Sequence, residues 1–155
     1  MGKNDGMLLL DEQLCFPLYA ASNLITRLYR PLLSKLGLTY PQYLVMLLLW
    51  QETPRSVSDL GKALYLDSGT LTPLLKRLEI SGLVIRRRGS DDERRVEVFL
   101  TERGAELRSL AENIPKALQE AIQCSQSEII ELRGRVNALI KQITPRLDTI
   151  STKDK

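Results

Sequence analysis

The residues best suited to chemistry in this chain are its two cysteines, Cys15 and Cys124, because it contains no histidine. A thiolate is a nucleophile that peroxides oxidise to a sulfenic acid, which a second thiol converts to a disulfide. With Asp11 as the expected N-cap, Cys15 falls in the first turns of a helix, where unpaired amides and the helix dipole favour the thiolate. A free cysteine is more often a small buried hydrophobe, so these residues alone leave both interpretations open.

Three tyrosines are candidate partners of that thiol, because a phenol hydroxyl can donate a hydrogen bond to a thiolate without adding charge. Tyr19 lies one helical turn after Cys15 on the same face. Tyr29 and Tyr40 lie farther along the chain, so folding would have to bring them back. In the absence of histidine we expect helix amides and phenols to activate the thiol, although Tyr19 and Tyr43 fit a plain core role as well.

Composition excludes several classes of protein. Two cysteines without histidine cannot build a usual zinc site, so we expect no metal and no cofactor. No apolar run is long enough to cross a bilayer, and the first residues lack the features of a signal peptide. We therefore expect a cytoplasmic protein without a membrane partner. The net charge of +3 is compatible with nucleic acid but does not establish it.

Apolar periodicity and capping residues predict a mainly α-helical chain with one small β-hairpin. Four helices are expected first, over about 11–36, 39–50, 56–65 and 67–80, with caps at Thr39, at Ser56 and at Asp67 or Ser68. Two strands follow over 83–88 and 95–100, joined by a turn at 89–93. Thr101 should cap one long helix through Leu118, and a capping box at Ser125 and Glu128 should begin a last helix that Pro145 closes.

This order of elements is that of a winged helix-turn-helix, in which one helix enters a DNA groove and a hairpin lies beside it. We assign residues 41–101 to this DNA-binding region within a single domain over 1–155. The outer helices carry more apolar surface than one small module can cover. We therefore expect segments 8–36 and 102–145 to be dimerisation helices, although they could pack only on their own chain.

The helix after Asp67 has one apolar and one polar side. Its four leucines, from Leu71 to Leu78, follow helical spacing and should face inward. The opposite side carries short polar groups and one cation, suited to phosphate oxygens or base edges; we predict DNA contacts from Ser68, Thr70, Thr72, Pro73 and Lys76. Because Pro73 is awkward in a helix interior, we expect the regular helix to begin near Gly69 or Thr70.

The hairpin is rich in arginine and acid. Its arginines include Arg94 and its acids include Asp92. An exposed arginine at a hairpin tip fits a narrow minor groove, and an acid beside it can orient its side chain before binding. Arg86, on the first strand, is a further candidate for DNA contact. A charged hairpin is often only solvated, so the functional interpretation depends on the neighbouring helix.

These segments resemble the MarR family of winged-helix repressors, and they resemble one branch closely, the organic hydroperoxide resistance regulators. The wing matches the acid-x-Arg signature of the family at Asp92-Glu93-Arg94. The other matching stretches are Gln13–Phe16, Tyr29–Leu33, Leu38–Tyr43 and Leu66–Pro73. The resemblance implies an obligate homodimer on an inverted-repeat operator in double-stranded DNA, with recognition helices in successive major grooves roughly 34 Å apart.

The resemblance also implies what the cysteines do. The cysteine at position 15 senses organic hydroperoxides as inducers, with the tyrosines at 29 and 40 bonded to it. Cys124 resembles the resolving cysteine of two-cysteine members, which pairs with the first across the dimer. The implied protein is a redox-sensing transcriptional repressor, not an enzyme, that binds operator DNA when reduced and releases it after oxidation of Cys15.

Several alternatives stay open at this point. A MarR-type regulator released by a reversible small-molecule ligand would have the same fold. A thiol peroxidase or a DNA-binding protein without sequence preference fits less well. Cys124 could be an incidental surface thiol, or could pair with Cys15 of its own subunit.

Overall fold

The computed structural model describes residues 8–89 and 94–151, with side chains described up to residue 147. It divides into two compact units, one ending at Ile114 and one beginning at Pro115. No helix in the described ranges is long and apolar enough to span a membrane.

The first long helix, α1 (Cys15–Ser34), follows a single 3-10 turn over Leu10–Glu12. Asp11 lies inside that turn, and Leu14 stands at the N-cap without a side-chain cap, so the expectation that Asp11 caps the helix is wrong. The 3-10 turn closes through Gln13 N–H donating to the Leu10 carbonyl, which moves the start of the helix towards Cys15. Pro17 then falls in the first turn, where its missing N–H costs no helical bond.

Three helices follow and form most of the core: α2 (Tyr40–Gln51), α3 (Val57–Leu64) and α4 (Ser68–Ile80). Each begins at the predicted cap. Gln42 Oε1 accepts from Thr39 N–H at 2.8 Å, Ser56 Oγ accepts from Asp59 N–H at 3.0 Å, and Asp67 Oδ1 accepts from Thr70 N–H at 2.8 Å. These local bonds satisfy helix amides that have no partner within the helix.

The described strands are β1 (Arg55–Ser56), β2 (Val84–Arg88) and β3 (Val96–Leu100), in an antiparallel sheet of order β1-β3-β2. The hairpin register pairs Val84 with Leu100 and Arg88 with Val96. The hairpin was predicted, but β1 was not, because two residues carry no alternating pattern and pair only with the distant Val98 and Glu97.

The core lies between α2, α3, α4 and the root of the sheet. Its fully buried side chains are mainly leucines from these helices, joined by Val84 and Val98 from the strands. All four inward leucines of α4 are buried as predicted: Leu71, Leu74, Leu75 and Leu78. Burial of these side chains is the main force that fixes the orientation of α4.

The segment after the sheet differs from the sequence-based prediction. The single long helix predicted after Thr101 is two helices, α5 (Glu102–Ala111) and α6 (Ile114–Ile122). Pro115 has no N–H for the Ala111 carbonyl, so the helix is interrupted and restarts with the proline in its first turn.

The last helix, α7 (Gln126–Ser151), begins at the predicted capping box and continues past Pro145, so the expectation that Pro145 closes it is wrong. A proline inside a helix removes one backbone bond, and the bonds on either side can carry the helix through.

Candidate functional site

The polar face of α4 is fully presented to solvent. Its exposed residues include all five predicted contact residues of this helix: Ser68, Thr70, Thr72, Pro73 and Lys76. Asp67 occupies the N-cap, where hydrogen bonds from Thr70 lower the pKa of its carboxyl group, so it stays ionised at neutral pH. The cap fixes where the first turn of this face begins.

Pro73 lies inside α4, which begins at Ser68 and not at Gly69 or Thr70 as expected. The helix therefore forgoes the bond that residue 73 would donate to the Gly69 carbonyl. Leu71 N–H still donates to the Asp67 carbonyl at 3.0 Å, so the first turn is closed despite the proline.

Arg86, predicted to contact DNA, is engaged with the carboxylate of Glu79 on α4. Its backbone N–H and Nε each donate at 3.0 Å, and its Nη2 donates at 2.8 Å. These bonds lower the pKa of Glu79. Such a forked geometry gives orientation as well as energy, so Arg86 joins β2 to the last turn of α4.

A second ion pair ties the other strand to α3. Arg95 Nη2 lies 3.1 Å from Asp59 Oδ2, and the same oxygen accepts from Ser56 Oγ at 2.6 Å. The hydrogen bond from Ser56 and the charge of Arg95 lower the pKa of Asp59. The sequence does not predict the pairing of Glu79 with Arg86 or of Asp59 with Arg95, because each joins residues that have no regular spacing.

Arg94 is exposed in the turn two residues before β3, whereas Asp92 lies outside the described residues. Between the wing, α3 and α4 is a cleft of about 330 Å³ whose wall includes Thr72, Arg86, Arg94 and Arg95. Because Arg86 is paired with Glu79 and Arg95 with Asp59, carboxylates balance two of these three positive charges.

Cys15 is the first residue of α1, is exposed, and forms no disulfide. Large apolar side chains near it are also exposed: Leu14 at 68%, Tyr19 at 68% and Leu18 at 39%. Farther along α1, Leu24 and Leu28 remain exposed at 57% and 39%. Tyr19, predicted as a partner of the thiol or as core, is therefore not a core residue within one chain.

Three tyrosines pack together at the other end of α1, and we call them the tyrosine cluster: Tyr29, Tyr40 and Tyr43. The ring centroids of Tyr29 lie 4.6 Å from Tyr40 and 5.8 Å from Tyr43. Burial, with Tyr40 and Tyr43 close by, raises the pKa of Tyr29 to about 12, and burial also raises the pKa of Tyr40. Both phenols therefore keep their protons as hydrogen-bond donors across the physiological range.

The tyrosine cluster does not meet Cys15 of its own chain. Cys15 and Tyr29 lie on one helix, and fourteen residues at 1.5 Å each place their backbones about 21 Å apart. Folding brings Tyr40 to Tyr29 and not to the thiol. Any contact between this thiol and these phenols requires a second chain.

Cys124 lies between α6 and α7 and is partly exposed. It directly precedes the predicted capping box, in which Glu128 Oε2 accepts from Ser125 N–H at 2.8 Å. No group of three potential metal ligands occurs among the described residues.

Comparison with known proteins places the chain among bacterial regulators. Residues 27–109 match the family model described as transcriptional regulator SarA/Rot. The chain is 46% identical over 134 residues to the organic hydroperoxide resistance transcriptional regulator of Bacillus subtilis, covering 86% of this chain and 91% of that protein.

Two solved structures of one relative are also similar. Reduced AbfR of Staphylococcus epidermidis bound to DNA is 35% identical with a TM-score of 0.73, covering 92% of this chain and 99% of that one. AbfR in its disulfide form is 36% identical with a TM-score of 0.59, covering 90% and 92%.

Proposed function

Since this chain belongs to the MarR family of winged-helix transcriptional regulators, in the branch of the organic hydroperoxide resistance regulators, we propose that it is a thiol-based repressor. Its reduced form binds operator DNA, and oxidation of Cys15 by an organic hydroperoxide releases the operator. The observation that carries this proposal is an exposed thiol at the start of α1 in a chain whose α4 exposes a polar face beside an arginine-rich wing.

The exposed face of α4 is the part that reads the operator. Thr70 and Thr72 contact base edges or phosphates in the major groove, and Lys76 contacts phosphate or guanine. Arg94 enters the adjacent minor groove, with Asp92 orienting it. Arg86 and Arg95 are held by Glu79 and Asp59, so their role is to hold the wing at a fixed angle to α4.

The working molecule is a homodimer on an inverted-repeat operator. The exposed leucines of α1 form an apolar surface of a kind that marks protein interfaces. One winged helix reads few base pairs, and a two-fold dimer matches a palindromic site. The apolar side of α1, with the outer helices, forms the contact between the two copies.

The dimer also completes the thiol site. Because the backbone of Tyr29 lies about 21 Å along α1 from Cys15, and Tyr40 packs against Tyr29, we infer that Tyr29 and Tyr40 of the partner subunit donate hydrogen bonds to the sulfur of Cys15. Their high pKa values suit this role, since a phenol that keeps its proton can donate to a thiolate. Each subunit then supplies the thiol of one site and the phenols of the other.

The reaction consumes one hydroperoxide per disulfide. The Cys15 thiolate attacks the terminal oxygen of ROOH, the O–O bond breaks, and the alkoxide leaves and takes a proton to give the alcohol. The sulfur has become a sulfenic acid. The thiol of Cys124 of the partner subunit then attacks that sulfur, and the S–O bond breaks with loss of water. Two thiols are oxidised while the peroxide is reduced.

Formation of a disulfide can supply the free energy needed to change the protein from its DNA-binding state to its released state. It requires Cα atoms usually about 4.4–6.8 Å apart, so the two helical segments that carry the cysteines must accommodate that distance. A nearly complete two-state switch needs roughly 5.5 kcal/mol, which a covalent bond can supply more readily than a weak ligand.

The proposal is tested by measuring operator affinity before and after cumene hydroperoxide. The probe is an inverted-repeat duplex selected by the reduced protein from random DNA, with a scrambled duplex as control. We expect wild type to release the selected duplex and to rebind it after dithiothreitol, whereas Cys15→Ser stays bound. Release of Cys15→Ser by the same treatment would refute the assignment. Release by an unreactive phenol, reversed by dilution alone, would favour the ligand-controlled alternative.

A further inference from the structure

A continuous row of aromatic rings leads from the tyrosine cluster to the far end of α2. Tyr40, Tyr43 and Trp50 stand at positions i, i+3 and i+10 of this helix and so lie along one side of it. The ring of Tyr43 lies 6.2 Å from that of Trp50 in an edge-on arrangement. The row extends about 15 Å along the helix, at 1.5 Å per residue.

At its end the row is attached to α5. The indole Nε1 of Trp50 donates a hydrogen bond of 2.8 Å to the carbonyl oxygen of Gly104, fifty-four residues away in the chain. Arg108 Nη1 donates to the carbonyl of Trp50 at 3.4 Å. The last turn of α2 is thus held to α5 through both the side chain and the backbone of one residue.

Gly104 in turn lies against the point where α4 passes into the wing. We call Gly82, Leu83 and Thr101 the wing root. A Cβ on Gly104 would overlap the Leu83 carbonyl oxygen, so the two backbones are in direct contact. Thr101 Oγ1 accepts from Gly104 N–H at 3.0 Å and donates to the Gly82 carbonyl at 2.7 Å, while Thr101 N–H donates to the Leu83 carbonyl at 3.1 Å.

These contacts form an unbroken path between two functional regions. At one end are the phenols assigned to the partner's thiol, and at the other is the junction of the reading helix and the wing. Every step is a ring contact or a hydrogen bond between described residues. A partly buried indole N–H needs some acceptor, and here the acceptor belongs to Gly104, whose backbone is in direct contact with Leu83.

Resting on the proposed function, we propose that Trp50 is the positioning residue that couples the tyrosine cluster to the wing root. When oxidation draws the partner's Cys15 away from Tyr29 and Tyr40, the tyrosine cluster repacks. Because rings in contact move together with the helix that carries them, α2 shifts, and the Trp50 bond moves Gly104 and the wing root with it. Without that bond the thiol and the wing respond independently.

Trp50 is the only tryptophan of the chain, so the tryptophan fluorescence of the wild-type protein reports on the surroundings of this residue. We expect indole fluorescence to change in intensity or emission maximum during oxidation by one equivalent of cumene hydroperoxide per subunit, at the rate at which operator is released. Cys15→Ser should show no change. Release of operator by wild type with unchanged emission would overturn the coupling role.

The second measurement is the release factor, the ratio of operator Kd after and before oxidation. Trp50→Phe keeps an aromatic ring and removes the donor. We expect its reduced form to bind operator within about threefold of wild type and its release factor to fall roughly tenfold, within the range of typical couplings. Leu64→Val, a change in the partly buried shell outside the aromatic row, is the control and should leave the release factor unchanged.

The outcomes separate the two proposals. If wild type releases operator and Trp50→Phe does so by the same factor, the coupling role is wrong and the proposed function stands. If wild type itself keeps its operator after Cys15 is oxidised, the proposed function fails and the coupling role fails with it.

Discussion

The carboxylate of Glu79 holds Arg86 through three hydrogen bonds, two from its guanidinium and one from its backbone N–H. Glu79 belongs to the last turn of α4, and Arg86 stands in the middle of β2. The pair therefore fixes the angle between α4 and the wing, which the proposed dimer would have to keep when it binds two grooves at once.

Glu79→Gln should weaken operator binding without changing the oxidation of Cys15. The pair is partly exposed, with side chains at 27% and 35%, so we expect a loss of about 1 kcal/mol, roughly fivefold in Kd. Glu131→Gln, which breaks an exposed pair with Arg135 on α7, is the matched control. An equal loss of affinity in both variants would show that the wing pairing has no special role.

The same pair should give stability a defined dependence on pH. Hydrogen bonds from Arg86 lower the pKa of Glu79 below its usual 4.5. The contribution to the free energy of unfolding is then fully present above pH 4.5 and is lost as the pH falls through the lowered pKa. The difference in unfolding free energy between wild type and Glu79→Gln, measured by urea titration, should shrink only in that acid range. A difference that shrinks near neutral pH would contradict this assignment.

Tyr29 should make the stability of the protein depend on pH in the alkaline range. Its pKa is raised from 10.0 to about 12, so the folded protein keeps the proton that the unfolded chain loses. Stability is unaffected below pH 10 and falls as the pH rises from 10 to about 12. Phenolate absorbance of wild type minus that of Tyr29→Phe should titrate near pH 12. A difference spectrum with a midpoint at pH 10 would mean that the tyrosine cluster is open to water.

Arg94→Ala should separate DNA binding from sensing. Loss of the arginine proposed to enter the minor groove should weaken operator binding by about 1–3 kcal/mol, which raises Kd roughly 5- to 150-fold. The slope of log K against log salt concentration should become about one unit shallower. The rate of Cys15 oxidation should not change. Arg133→Ala removes the same charge from α7 and is expected to cost little. If Arg94→Ala bound operator with the affinity of wild type, the wing would not be part of the DNA-binding surface.

Gly104→Ala should destabilise the fold, because its Cβ would collide with the Leu83 carbonyl oxygen. We expect a loss of about 1–3 kcal/mol, typical of overpacking. Gly134 on α7 has nothing of its own chain within 4 Å of an added Cβ, so Gly134→Ala causes no such collision within the subunit and should gain helix propensity there. Thermal unfolding at equal protein concentration measures both. Similar Tm values for the two variants would contradict the close contact at the wing root.

Local patterns in the sequence predicted the parts of the fold that depend on local bonds. Thr39 with Gln42, Ser56 with Asp59, and Asp67 with Thr70 each act within one helical turn, so their residue types sufficed to place three helix starts. The prolines misled in both directions. Apolar periodicity continues up to Pro115, but the helix is interrupted just before this proline, whereas Pro145, expected to end a helix, lies inside one.

The sequence predicted which residues belong to the candidate site, but not how they are arranged. Cys15, Tyr29 and Tyr40 could be selected by type and by resemblance, but their separation depends on α1 being one unbroken helix. Three contacts join segments that meet only after folding: Tyr29 with Tyr40, Arg86 with Glu79, and Trp50 with Gly104. Once α1 forms a single helix, the spacing of Cys15 and Tyr29 keeps them apart within one chain, and this separation is the basis for the proposal that the phenols come from the partner subunit.

The most direct test of this account is a pair of complementary heterodimers. In the first, one chain carries Cys15 with Tyr29→Phe and Tyr40→Phe, and the other carries Cys15→Ser with both tyrosines. In the second, one chain carries Cys15 and both tyrosines, and the other carries all three substitutions. We predict that cumene hydroperoxide oxidises Cys15 at the wild-type rate, and releases operator, only in the first. Faster oxidation in the second, or equal rates in both, would contradict a thiol site built from two subunits.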